Sequence, residues 1–209
     1  MHISEGVLSG PVLAGGAVLA LGGLARGLRE LRADGLPRVA LLAAVFFTAS
    51  LIHINIGPLS AHLLLSGLLG LVLGWAAFPA IFVGLLLQGV LFQYGGLTVL
   101  GINTFNLAGP AAVLGVAGRF AIARFGWRAA PACAILAGGG SILISGLLAA
   151  GSLTLSGQEF APLAAAFALA HLPVAAIEAL VTLFTVKFLH QVRPGLLGCP
   201  GGLIAGKAV

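Results

Sequence analysis

Apolar residues in this chain come in long runs separated by short polar or Gly/Pro-rich breaks. The runs lie at about 7–25, 39–56, 61–78, 79–94, 104–122, 131–150 and 162–189. Crossing a bilayer as a helix takes about 20 residues at roughly 1.5 Å each, so the pattern predicts an all-α polytopic membrane bundle of about seven transmembrane helices. The third and fourth runs meet at Phe78–Pro79 with no polar loop between them, which makes a tight boundary there. The whole chain, 1–209, reads as a single transmembrane domain with a short tail from about 190.

Composition narrows the class. The chain is 60% apolar and 7% charged, with a mean hydropathy of +1.16, whereas soluble domains carry about a quarter charged residues. A soluble enzyme is excluded, as are disorder, for want of polarity, and collagen, because the 32 glycines show no three-residue period.

The net charge of +5 would suggest nucleic acid in a soluble protein. The cations instead fall in three clusters, Arg26 to Arg38, Arg119 to Arg128 and Lys187 to Arg193, plus Lys207. Each cluster lies between or beyond apolar runs, so no nucleic-acid partner is expected. Cytoplasmic loops collect Lys and Arg. The connections after the first, fifth and seventh runs carry every cation, while those near Gly57, Gly95 to Asn103 and Gly151 to Phe160 carry none. The expected orientation is N-terminus outside and C-terminus in the cytoplasm. The first run has its arginines behind it rather than in front, unlike a signal peptide. It therefore reads as an uncleaved helix, and the large His2 after Met1 favours retention of Met1 with a free amine outside.

Small residues recur four apart in Gly23/Gly27, Ser66/Gly70/Gly74 and Ala137/Ser141/Ser145, a spacing that lets helices approach closely. It suits tight packing within the bundle or docking to another membrane subunit.

Ionisable groups at membrane depth are functional candidates by default: His2, Glu5, His53, His62, His171 and Glu178, with Asn55, Gln88, Asn103 and Asn106 as polar companions. His190 sits in a basic cluster and is expected to be solvated. His2, His53, His62 and Asn103 fall at the outer ends of spans, and three histidines at one end suggest a transition-metal site. A free Met1 amine, the His2 peptide nitrogen and the His2 imidazole can close two fused chelate rings in a plane. One more imidazole completes a square-planar nitrogen set suited to Ni(II) or Cu(II). His62, after the foldable Gly57–Ala61 segment, is the choice for it, with His53 competing. His171 and Glu178, seven residues apart, share a helical face. They could serve a proton-coupled secondary transporter, or Glu178 could be hydrogen-bonded to a neighbouring helix.

Energy-coupling and enzyme motifs fail. Gly201–Ala208 approaches a phosphate-binding loop but has Ala208 where Ser or Thr should hold Mg²⁺. Neither Ser66-Gly67 nor Ser145-Gly146 has a Gly two positions before the serine, and His-Glu-x-x-His is missing. Cys133 and Cys199 form no Cys-x-x-Cys pair and are expected to be reduced thiols.

Four segments, in order, resemble the CbiM/NikM family, the substrate-capture membrane subunits of energy-coupling-factor cobalt or nickel transporters. They are Met1-His2-Ile3-Ser4-Glu5-Gly6, Ser60-Ala61-His62-Leu63, Gly95-Gly96-Leu97-Thr98 through Leu100-Gly101-Ile102-Asn103-Thr104-Phe105-Asn106, and His171 followed by Glu178-Ala179-Leu180. The resemblance implies a six-helix core with an added N-terminal helix, and an ion held by the Met1 amine, both His2 nitrogens and His62. His53, Glu5 and Asn103 are the further residues expected to bind or surround the ion. The sequence departs from the family pattern at Ser4, where Pro is usual, at Gln93-Tyr94, and at His53. The resemblance also implies a multi-pass protein of a bacterial or archaeal cytoplasmic membrane that is not itself an enzyme. Its partners would be a transmembrane coupling subunit, cytoplasmic ATPase subunits and a small accessory membrane subunit. No cofactor is expected to be permanently bound; Co(II) or Ni(II) would be the cargo, with a lean to cobalt for cobalamin synthesis.

Overall fold

Helix α1 (Gly10–Glu30) opens with Pro11 in its first turn, where a missing N–H costs nothing, and buries only Gly16, Ala20, Gly23 and Gly27. That face is small because it lies against other elements. A Cβ on Gly16 would strike Ile102, one on Gly23 the Phe78 ring, and one on Gly27 the Trp75 carbonyl. The Gly23/Gly27 pair thus serves packing within the bundle. The computed structural model describes residues 3–56, 59–193 and 197.

Helix α2 (Leu36–Ala49) is 14 residues long, shorter than the run at 39–56 suggests. The remainder of that run is extended: β1 (His53–Ile56) pairs antiparallel with β2 (Leu59–His62), and His53 is the register partner of His62. Isoleucines at alternate positions favour strand. The end of the second run is therefore one of a pair of antiparallel strands rather than helix.

Helix α3 (Ser66–Leu73) is buried at every position from Ser66 to Val72. Its neighbours fix its direction. Gly70 packs on Ala111 and Gly115, and Gly74 on Val116 and Arg119, so α3 runs alongside α5 (Leu100–Phe125) in the same sense. Helix α4 (Ala77–Phe92) runs against α5: Phe78 in its first turn lies beside Gly23, and its far end leads directly into residues 93–99. The chain therefore reverses at Gly74, whose φ of +61° strongly favours glycine. The boundary expected at Phe78–Pro79 lies earlier, and Pro79 sits inside the first turn of α4.

Helices α6 (Ala130–Ile135) and α7 (Ser141–Ser156) are one rod interrupted by a π turn at Leu136–Gly140. Gly138 and Gly139 in that turn lie on the backbone of α8 (Ala161–Val192) at Glu178 and Ala175. Five stretches, 10–30, 66–92, 100–125, 127–156 and 158–192, are long and apolar enough to cross a membrane among the described residues. The chain is a multi-pass membrane protein. A large apolar core runs through α2 to α8. A smaller cluster of Ile3, Leu8, Val99, Ile102, Ala149, Leu153 and Ala164 closes the end where the N-terminal segment lies.

Candidate functional site

The segment after His2 is pinned across that end. The Ile3 N–H donates to Asn103 Oδ1 at 3.1 Å and Asn103 Nδ2 donates to the Ile3 carbonyl at 3.0 Å, both buried. A side-chain amide carries an acceptor and a donor side by side, which suits it to both backbone groups of one residue. Two residues on, the Glu5 N–H donates to the Gly95 carbonyl at 3.2 Å. Its carboxylate accepts the Thr98 N–H at 2.9 Å and the Thr98 hydroxyl at 3.2 Å. The Thr98 N–H holds this carboxyl below the ordinary carboxylate range. Gly96, at φ +135°, lies directly on the Glu5 side chain, leaving no room for a Cβ. Ser9 completes the strap by donating its N–H to Ser156 Oγ at 3.1 Å. Met1 and His2 lie outside the described residues, as do Cys199, Lys207 and the Gly201–Ala208 segment.

His62 closes β2 and is buried. Burial lowers its imidazole pKa, a Leu63 backbone hydrogen bond partly opposes that and nearby His171 adds to it, leaving the pKa at about 4. The ring is therefore neutral near pH 7, the form a metal binds. After His62 the chain passes through Leu65, a non-glycine residue at φ +55°. It then enters α3 under a buried carboxylate: Glu178 accepts the Leu64 N–H at 2.5 Å and the Leu65 N–H at 2.8 Å. The Leu65 N–H is an orphan donor of the helix start and the Leu64 N–H lies just before it; a carboxylate there also meets the positive end of the helix dipole. The partner foreseen for Glu178 on a neighbouring helix is thus the backbone leading into α3.

His171 sits two turns before Glu178. Its Nδ1 lies 2.6 Å from the Phe167 carbonyl, its ring packs on Phe167 with centroids 4.6 Å apart, and Gly146 leaves the space it fills. Phe167 also packs against the cluster that holds Ile3 and Leu8. The strap thus meets α8 at Phe167, one turn before His171, and the His62 arm meets it about three turns further on, at Glu178. His53 is the register partner of His62. Among the described residues, no three His, Cys, Asp or Glu side chains gather into a metal site; the expected set depends on Met1 and His2.

One expectation is corrected. His190 is not simply solvated: it stacks on Trp127 with centroids 3.5 Å apart and planes 12° from parallel. What the sequence did not reveal is that Asn103 and Glu178 act on backbone groups; a helix start without its own side-chain cap leaves no trace in residue types.

The family described as the cobalt uptake substrate-specific transmembrane region matches residues 2–196. A protein of Haemophilus influenzae named for metal transport is 39% identical over 94% of this chain and 97% of its own. The fused nickel transport protein NikMN of Rhodobacter capsulatus is 37% identical over 81% of this chain, which spans 54% of that longer protein. The crystal structure of a truncated transition metal transporter superposes with a TM-score of 0.76 at 26% identity, covering 92% of this chain and 99% of that one.

Proposed function

The chain belongs to the cobalt uptake substrate-specific transmembrane family, and from that premise we propose that it captures Co(II) or Ni(II) at the end of the bundle closed by the N-terminal strap. The ligands are the Met1 amine, the His2 peptide nitrogen and imidazole, and the His62 imidazole, with His53, Glu5 and Asn103 as further residues that bind or surround the ion. The observation that carries the reading is the Asn103 clamp on Ile3. It fixes the backbone one residue from His2, at the end of the bundle where Phe167 packs beside His171.

The remaining parts of the reading follow. With α6 and α7 counted as one rod, the elements α1 to α8 make seven membrane helices, with the strap outside and the basic clusters in the cytoplasm. The membrane is the cytoplasmic membrane of a bacterium or archaeon. Transport is driven by cytoplasmic ATPase subunits acting through a transmembrane coupling subunit, with a small accessory membrane subunit in the assembly; the fused name of the nickel relative supports such company. Co(II), destined for cobalamin synthesis, is the first ion to test, with Ni(II) as its competitor. The alternative, proton-coupled transport through Glu178 and His171, asks for a mobile proton on a carboxylate already committed to two backbone donors.

The test adds one residue before Met1 and titrates the purified protein in detergent with Co(II) and Ni(II). The extension replaces the amine by a peptide group, so affinity should collapse for both ions. Unchanged affinity removes the amine from the ligand set.

A further inference from the structure

The backbone leading from His62 into α3 is held from outside its own element. β2 ends at His62, and Leu64 and Leu65 both give their N–H groups to Glu178, more than 110 residues away. The second carboxylate oxygen also accepts from Leu65, at 3.0 Å. α3 has no side-chain cap of its own. The carboxylate is itself immobile: Glu178 is fully buried, and α8 at that level lies on the side-chain-free surface of Gly138 and Gly139 in the π turn. Gly67, one residue into α3, lies against Ala137 and Gly138 of the same turn. Three elements thus meet within five residues of His62: the arm, α8 and the π turn.

We propose that Glu178 is a positioning residue for metal capture, fixing the His62 imidazole by capping the two N–H groups that follow it. The inference rests on His62 being a ligand, as read above. Glutamine at 178 keeps the size but turns one acceptor into a donor facing another N–H. Aspartate keeps both oxygens but withdraws them by one methylene. Outer groups that orient a ligand typically govern metal affinity by about 10- to 100-fold.

The experiment is a double-mutant cycle on the full chain in detergent, read by Co(II) and Ni(II) affinity, with thermal unfolding followed in parallel. Glu178→Gln should weaken binding about tenfold or more, and Glu178→Asp should fall between it and the parent. In a His62→Ala background, Glu178→Gln should cause no further loss, because the group it positions is gone. A purely structural role predicts the same fold-loss in both backgrounds, which overturns the proposal. So does parent-like affinity of Glu178→Gln, or of Glu178→Asp should the glutamine variant not fold, when His62→Ala has lost binding. If His62→Ala itself keeps parent affinity, the ligand assignment has failed and this inference falls with it.

Discussion

Asn103 performs two opposite tasks with one side chain, accepting from the Ile3 N–H and donating to the Ile3 carbonyl. Leucine at 103 preserves bulk and strands both backbone groups in a buried place, at a cost of about 1–3 kcal/mol for each unsatisfied group. Asn103→Leu should therefore free the strap and weaken Co(II) and Ni(II) binding, while Asn103→Asp, which can still accept but not donate, should lose less; isothermal titration compares them. Proton competition belongs to this scale as well. Glu5 has a depressed folded pKa, so its stabilisation is complete above its unfolded value of 4.5 and is lost only as pH falls through the lower folded value. His62 is depressed from 6.5 to about 4. Its neutral form costs the fold nothing above 6.5, and stability drains away as pH falls from there toward 4. Neither group carries a proton to displace at neutral pH. The other two proposed ligand groups, an α-amine with an ordinary pKa of about 7.7–8.0 and an imidazole near 6.5, bind metal only when unprotonated. Affinity should thus fall steadily from pH 8 to pH 6. A flat profile over that range argues against amine ligation.

At the scale of elements, α1 offers a controlled comparison within two adjacent residues. Gly23 faces the Phe78 ring with no room for a methyl group, whereas Gly22 meets nothing within 4 Å. Gly23→Ala should force α1 off α4 and lower the unfolding temperature, since overpacking costs typically 1–3 kcal/mol. Gly22→Ala should be neutral or slightly stabilising, because alanine is the better helix former by about 1 kcal/mol. Detergent thermal shifts on the pair separate contact from propensity. The Gly23/Gly27 spacing was legible in the sequence because a close helix approach demands small residues at a fixed period. The strand pair was not: His53-Ile54-Asn55-Ile56 extends an apolar run, and periodicity alone does not tell a short buried strand from helix. Likewise the chemistry-bearing residues His62, His171 and Glu178 were visible by type, but the role of Glu178 was hidden because its partners are backbone N–H groups 113 and 114 residues distant. His190 was misread for a related reason, since its stacking partner Trp127 lies on another element.

For the whole molecule the decisive segment is 66–92, long and apolar enough to cross once as a single rod, yet folded as two arms meeting at Gly74. The two descriptions put the rest of the chain on opposite sides of the membrane. With one crossing, the connection at Arg128 would be outside and that at Glu159 inside. With two, Arg128 joins Arg26 and Asp34 in the cytoplasm and Glu159 faces out. The packing around the reversal favours two arms: Arg26 lies over Trp75 at 5.6 Å, and Arg119 reaches Gly74 from α5. The turn is therefore flanked by residues of two basic clusters, where cytoplasmic loops belong. Single cysteines placed by Glu159→Cys or Arg128→Cys, in a chain with Cys133→Ala and Cys199→Ala, test this directly, since both connections are exposed. On intact cells an impermeant maleimide should label position 159 and spare 128 until the membrane is opened. The reverse pattern would carry the basic clusters at Arg119 to Arg128 and Lys187 to Arg193 to the outside, and with Ser9 bonded to Ser156 it would mean an inverted bundle. The same labelling then decides whether the strap and the His62 arm face the side from which a metal ion arrives.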